Sequence, residues 1–203
     1  MNKPLLLVAL LAATMTACVT TGKRGGDAPM VAYDFGLPSQ RLAPGTAIVP
    51  LALEVRAPYW FDSLGVEYRL LYAEPARLRD YAMARWAGPP SSLMQQRLIQ
   101  QLGVIPHGQG GARCLLRIDI EEFSQWFDAP QSSRGVLRGM AVVLDSRRDR
   151  MAERPLAIEK KAPTPDSAGG VAALAAAVDQ MAGELAAWQG ELLAQSKFKV
   201  CQR

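Results

Sequence analysis

The chain has 203 residues, with 23 Lys and Arg against 19 Asp and Glu, a formal net charge of +4 at pH 7. Its cations are spread along the chain and form no cluster, which argues against a nucleic-acid footprint. The length suits one domain with a single core.

The N-terminus reads as an export signal. Lys3 supplies the positive charge, residues 5–13 form an unbroken apolar run, and small and hydroxyl residues follow up to Cys18. A spanning helix needs roughly 20 apolar residues. This run is shorter and fits the core of a cleaved signal peptide. Met15-Thr16-Ala17-Cys18 resembles the bacterial lipobox, with Met15 where Leu is usual. The resemblance implies cleavage between Ala17 and Cys18 and lipid on the Cys18 thiol and on the new amine. One acyl chain binds a bilayer only marginally, at about 0.8 kcal/mol per buried CH₂, so three chains make attachment effectively permanent. The competing reading is an ordinary signal peptide followed by a structural cysteine. The expected organisation is a signal peptide over 1–17, a lipidated cysteine and flexible tether over 18–30, and one domain over 31–203. Gly22, Gly25, Gly26 and Pro29 mark the tether.

A first short strand is expected over 31–37, carrying Tyr33 and Phe35. A clearer one covers 47–56, where Val49, Leu51, Leu53 and Val55 alternate with polar positions. Pro58 then precedes three consecutive aromatics, Tyr59, Trp60 and Phe61. In an extended segment they cannot all point to one face. Either a loop folds over and buries them in the domain's own core, or at least one stays near solvent as a contact for another copy or a partner. Residues 66–72 alternate again, with Val66, Tyr68, Leu70 and Tyr72 against Glu67 and Arg69. Residues 78–86 have helical propensity, but a turn at Glu74-Pro75 favours a strand in a hairpin with 66–72.

Pro89-Pro90 ends that element. A helix over 92–103 follows, with Ser92 and Gln95 as a capping-box pair, Leu93, Leu98 and Leu102 facing inward, and Gly103 as terminator. Residues 106–111 are a loop. A long strand covers 112–127. Its inward set, Cys114, Leu116, Ile118 and Ile120, changes parity at Phe123 and Phe127, the signature of a bulge. Strands over 134–146 and 154–161 come next. Residues 166–195 read as a long helix, because Val171, Leu174, Val178, Met181, Leu185, Trp188 and Leu192 recur at alternating spacings of three and four. The seam packs across the domain's own sheet or, on the sharper alternative, forms a coiled coil.

Cys114 and Cys201 are candidates for a disulfide in an oxidising compartment; two unrelated thiols are the alternative. Catalytic chemistry is not in view. His107 is the one histidine and lies in a Gly/Pro loop with no Gly-x-Ser-x-Gly partner. No Cys/His set has zinc spacing, and no phosphate-binding glycine loop is present. The chain is expected to be no enzyme and to need no metal or cofactor.

Tyr33-Asp34-Phe35-Gly36, Trp60-Phe61-Asp62, Glu67-Tyr68-Arg69 and Arg85-Trp86-Ala87-Gly88-Pro89-Pro90 occur in that order, followed by a Leu-rich helix and by 169–188. This order resembles the ABC-type transport auxiliary lipoproteins, the lipoprotein partners of MCE-type phospholipid transporters, including the one of the paraquat-inducible operon. Phe61 stands where the family often has Leu. The resemblance implies an α+β fold, a mixed and largely antiparallel sheet flanked by two helices, and no catalytic residues. It also implies a periplasmic domain on the outer membrane whose partners are an MCE-domain protein and ABC transporter subunits. A homo-oligomer, through contact with another copy, is a separate expectation. Val19 agrees with export to the outer membrane, because Asp after the cysteine favours inner-membrane retention in enterobacteria. A structural, self-assembling envelope lipoprotein without a transport role is the alternative of a different class.

The lipobox reading has a direct check. The substitution Cys18→Ser is expected to leave a soluble or unprocessed protein when cells are fractionated. Normal processing and membrane retention of that variant would refute the lipid anchor.

Overall fold

In the computed structural model, residues 29–38, 41–42 and 51–202 are described. The signal region, Ala17, Cys18, the tether up to residue 28 and positions 47–50 of the second expected strand lie outside them. The described residues form, in chain order, β1 (Val31–Tyr33), β2 (Leu51–Arg56), β3 (Gly65–Leu70), β4 (Glu74–Trp86), α1 (Pro90–Leu102), β5 (Ile105–Pro106), β6 (Cys114–Ala129), β7 (Ser132–Leu144), β8 (Arg150–Lys161), α2 (Ser167–Leu193), a 3₁₀ turn (Ser196–Phe198) and α3 (Lys199–Gln202).

All eight strands join one mixed, open sheet built on β6. One edge of β6 is shared: its first half pairs in parallel with β2, from Leu51↔Cys114 to Arg56↔Asp119, and its second half with β3, from Tyr68↔Gln125 to Leu70↔Phe127. The other edge pairs antiparallel with β7, and β7 with β8. β4 forms an antiparallel hairpin with β3 and carries β1 in parallel on its outer side. The antiparallel ladders are the long ones, as the largely antiparallel reading requires.

Both long helices lie on one face. Every residue of the α2 seam named above is buried, against β6, β7, β8 and α1. The seam therefore packs across the domain's own sheet. Each large side chain so buried contributes roughly 1.5–3 kcal/mol. Asp166 caps the helix by accepting the Gly169 amide at 2.8 Å. The first turn approaches the sheet closely: a Cβ on Gly170 would stand 2.0 Å from Gln125 Oε1, and one on Gly135 would stand 2.8 Å from the Leu174 amide nitrogen. The parity change in β6 is a register shift between Ile120 and Glu122. Opposite it, a Cβ on Gly139 would fall 2.3 Å from the Asp119 carbonyl oxygen, so glycine is what admits the bulge. Among the described residues no helix is long and apolar enough to cross a membrane.

Several boundaries differ from the expectations. β1 ends at Tyr33, because Asp34 accepts the Gly36 amide at 2.7 Å and Gly36 turns the chain at φ +66°. β3 ends at Leu70; Tyr72 is exposed, and the turn is residues 71–73 rather than Glu74-Pro75, which open β4. α1 starts at Pro90, whose fixed φ suits the first helical position. Its cap carries no side-chain hydrogen bond, so the Ser92/Gln95 capping box does not form, and Gln95 instead accepts the Val55 amide at 3.3 Å. Leu93 is only half-buried; Met94 and Arg97 join Leu98 and Leu102 on the inner side. Pro106 belongs to β5, paired with Leu53, and not to a loop. β8 begins four residues early, at Arg150.

Cys114, at the head of β6, is bonded to Cys201 of α3, with Cα atoms 5.3 Å apart and a sequence separation of 87. The bond ties the C-terminal segment to the sheet. Closing so long a loop restricts the unfolded chain, so the double substitution Cys114→Ala/Cys201→Ala is expected to cost about 2–4 kcal/mol in urea unfolding. An unchanged midpoint, with two free thiols in the exported wild-type protein, would contradict this.

Candidate interaction surface

The aromatic run lies in the loop from β2 to β3. The Phe61 amide donates to the Pro58 carbonyl at 2.9 Å and the Asp62 amide to that of Tyr59 at 3.3 Å, which closes a tight turn. The Asp62 carboxylate accepts the Ser91 amide at 2.9 Å and so fixes the loop to the start of α1. This turn divides the three aromatics. Phe61 is 2% exposed, whereas Tyr59 is 83% and Trp60 48% exposed. Tyr59 and Trp60 meet edge to face with centroids 4.9 Å apart. The loop folds over and buries Phe61 alone, so the reading that buries all three fails and the reading that leaves at least one ring near solvent holds for Tyr59 and Trp60.

Phe61 lies beneath the Arg69 guanidinium, 5.9 Å from its ring centroid. Arg69 in turn donates to both carboxylate oxygens of Glu122, at 3.4 and 3.2 Å. Glu122 also accepts the Ser124 hydroxyl, which receives the Trp126 indole N–H at 3.0 Å. Arg138 and Arg134 cover the Trp126 ring at 4.9 and 5.5 Å. A continuous polar network thus runs from the loop across β3 and β6 to β7.

Glu67 is the residue that the period of two misplaces. The alternation places it on the polar side of its strand, yet it is only 5% exposed. Its cover comes from the loop, where the Ser63 hydroxyl donates to Glu67 Oε1 at 3.0 Å. It is also paired across the ladder with Asp80. Burial pushes its carboxyl up to about 8, the Ser63 hydrogen bond opposes this, the charges of Asp80 and Glu122 add to it, and Arg69 opposes it. Nothing beside Glu67 in sequence marks it, because much of its surroundings comes from β4 and β6.

The remaining sites named from sequence lie apart. Cys114 and Cys201 form the disulfide. His107 sits on an exposed loop with Arg148 Nη2 3.0 Å from its Nε2. Among the described residues no group of three or more His, Cys, Asp or Glu side chains could hold a metal ion. The loop and its network supply an anchored display of two aromatic rings over a buried carboxyl.

That carboxyl gives stability a defined pH dependence. Unfolded Glu67 ionises near its ordinary 4.5 and the folded residue near 8. Between these values the native state holds the extra proton, so the stability linked to this group is fully present below about 4.5 and lost as pH rises through about 8. Glu67→Gln keeps an acceptor for Ser63 and removes the charge. The variant is expected to melt higher than wild type at about pH 8 and to lose less stability between about pH 5 and pH 8. Parallel profiles for the two proteins would contradict this account of Glu67.

Comparison with known proteins places this architecture. Two solved structures share the fold. One is the crystal structure of a Xanthomonas campestris protein of family DUF330, with TM-score 0.66, 22% identity, and coverage of 82% of this chain and 100% of that one. The other is the crystal structure of an uncharacterized protein, with TM-score 0.63, 16% identity, and coverage of 80% and 99%. No curated protein matches. The family model described as ABC-type transport auxiliary lipoprotein component matches residues 37–186. That span holds β2 to β8, α1 and most of α2, and the chain belongs to the ABC-type transport auxiliary lipoprotein family.

Proposed function

We propose that this protein is a lipid-anchored accessory component of an ABC/MCE-type lipid transport system, and that it docks the transport assembly at the periplasmic face of the outer membrane. The observation that carries this reading is the family match over 37–186, because the family is described as an auxiliary lipoprotein component of ABC-type transport. The lipobox at Met15-Thr16-Ala17-Cys18 supplies the means of anchoring, and Val19 in place of Asp agrees with the outer membrane as destination. In this reading the protein contributes surfaces and position and catalyses no reaction. Its single histidine lies on an exposed loop beside Arg148, and Cys114 and Cys201 are joined to each other.

The test is purification from detergent-solubilised membranes, followed by mass spectrometry of the proteins and lipids that accompany the chain. An MCE-domain protein and ABC transporter subunits are expected to co-purify. Recovery of copies of this chain alone would overturn the transport reading in favour of a self-assembling envelope lipoprotein.

A further inference from the structure

Six exposed apolar side chains, Met30, Val31, Tyr59, Trp60, Leu64 and Met83, belong to three segments that backbone pairing draws together. Val31 pairs with Ala84, the neighbour of Met83. The Trp86 amide donates to the Leu64 carbonyl at 2.8 Å, and the Ala87 amide to that of Tyr33 at 2.7 Å. The start of β1, the far end of β4 and the aromatic loop therefore form one margin of the domain. We propose that this margin is a membrane contact, lying against the head-group region of the bilayer that holds the Cys18 lipid. The proposal rests on the lipid anchor and specifies which surface of the domain faces that membrane.

Two observations select a bilayer as the occupant. The first is reach. Met30 is twelve residues beyond Cys18, so even a fully extended chain places it no more than about 43 Å from the lipid. β6 alone, with sixteen residues, is about 53 Å long. The chain enters the domain inside the apolar margin, so this margin stays within that reach of the anchor whatever the orientation of the rest of the domain. Contact is then intramolecular, and a weak affinity is enough to keep the surface engaged. The second observation is composition. The exposed rings of this margin are a Tyr and a Trp, whose apolar bodies and polar tips suit the boundary between acyl chains and water. Exposed Arg85 on β4 is a cation suited to anionic head groups.

The test uses the full lipidated protein, purified from membranes and reconstituted in vesicles of phosphatidylethanolamine and phosphatidylglycerol whose acyl chains carry bromine near the head group. Trp86 and Trp188 are buried and Trp126 lies under Arg134 and Arg138, so Trp60 is the ring open to contact quenching. Bromine is expected to quench wild-type emission, and Trp60→Phe, a conservative change at a half-exposed position, is expected to abolish most of that quenching. Equal quenching of the two proteins overturns the contact. So does a Trp60 that is unquenched by bromine and shielded from aqueous acrylamide, which would identify a second copy or a transport partner as the occupant. Protein that floats with the vesicles while Trp60 stays unquenched leaves the anchor standing and removes only the contact. Protein that does not float removes both.

Discussion

Burial of the α2 seam against β6, β7 and β8 is the interaction on which the rest of the structure depends. The seam runs from Val171 to Leu192, and with its sheet partners it forms most of the main core. Its first turn is seated by the absence of side chains at Gly135 and Gly170. Near its other end the chain turns back through Phe198 to Cys201, where the bond to Cys114 returns it to the head of β6. The helix is thus held at both ends of the sheet as well as along its length. Arg97 of α1, itself buried, donates to the carbonyl groups of Phe35 and Gly36 and faces Asp179 of α2 at 3.6 Å. Position of α1, and of the segment after β1, therefore follows from the position of α2.

With one face of the sheet taken by helices, the exposed chemistry is confined to the other face and to the margins. There β6 again sets the arrangement. Because β2 and β3 divide one edge of β6 between them, the chain must leave that edge after Arg56 and rejoin it by Tyr68. The excursion is the aromatic loop. Phe61 and Ser63 close it back over the sheet at the cost of burying Glu67, while Tyr59 and Trp60 remain outside. The raised pKa of Glu67 and the exposure of two rings are two consequences of one short connection.

Much of this was legible in the sequence, and the reason is locality. The α2 seam could be read because helical spacing is a property of neighbouring residues. The β6 bulge could be read because the apolar parity changes at Phe123. Separation of the three aromatics followed from the geometry of consecutive side chains, although which ring would be buried did not. The failures are non-local. Glu67 looked solvated because its cover includes Ser63 of a folded loop, with Asp80 and Glu122 brought beside it by distant strands. Arg97 was not singled out, because its carbonyl partners at Phe35 and Gly36 lie beyond the reach of helical periodicity. The insertion of β6 between β3 and β7, with β2 sharing its edge, has no signature in any one segment. Ser92 and Gln95 had the residue types of a capping box, but Pro90 had already started the helix.

The proposed role is to serve lipid movement between membranes from an anchored position. The most direct measurement is the transfer of pulse-labelled phospholipid between inner and outer membranes in cells lacking the protein. A changed transfer rate is expected, which wild-type protein restores and the Cys18→Ser variant does not. A rate unaffected by deletion, with the MCE and ABC components present, would contradict this role.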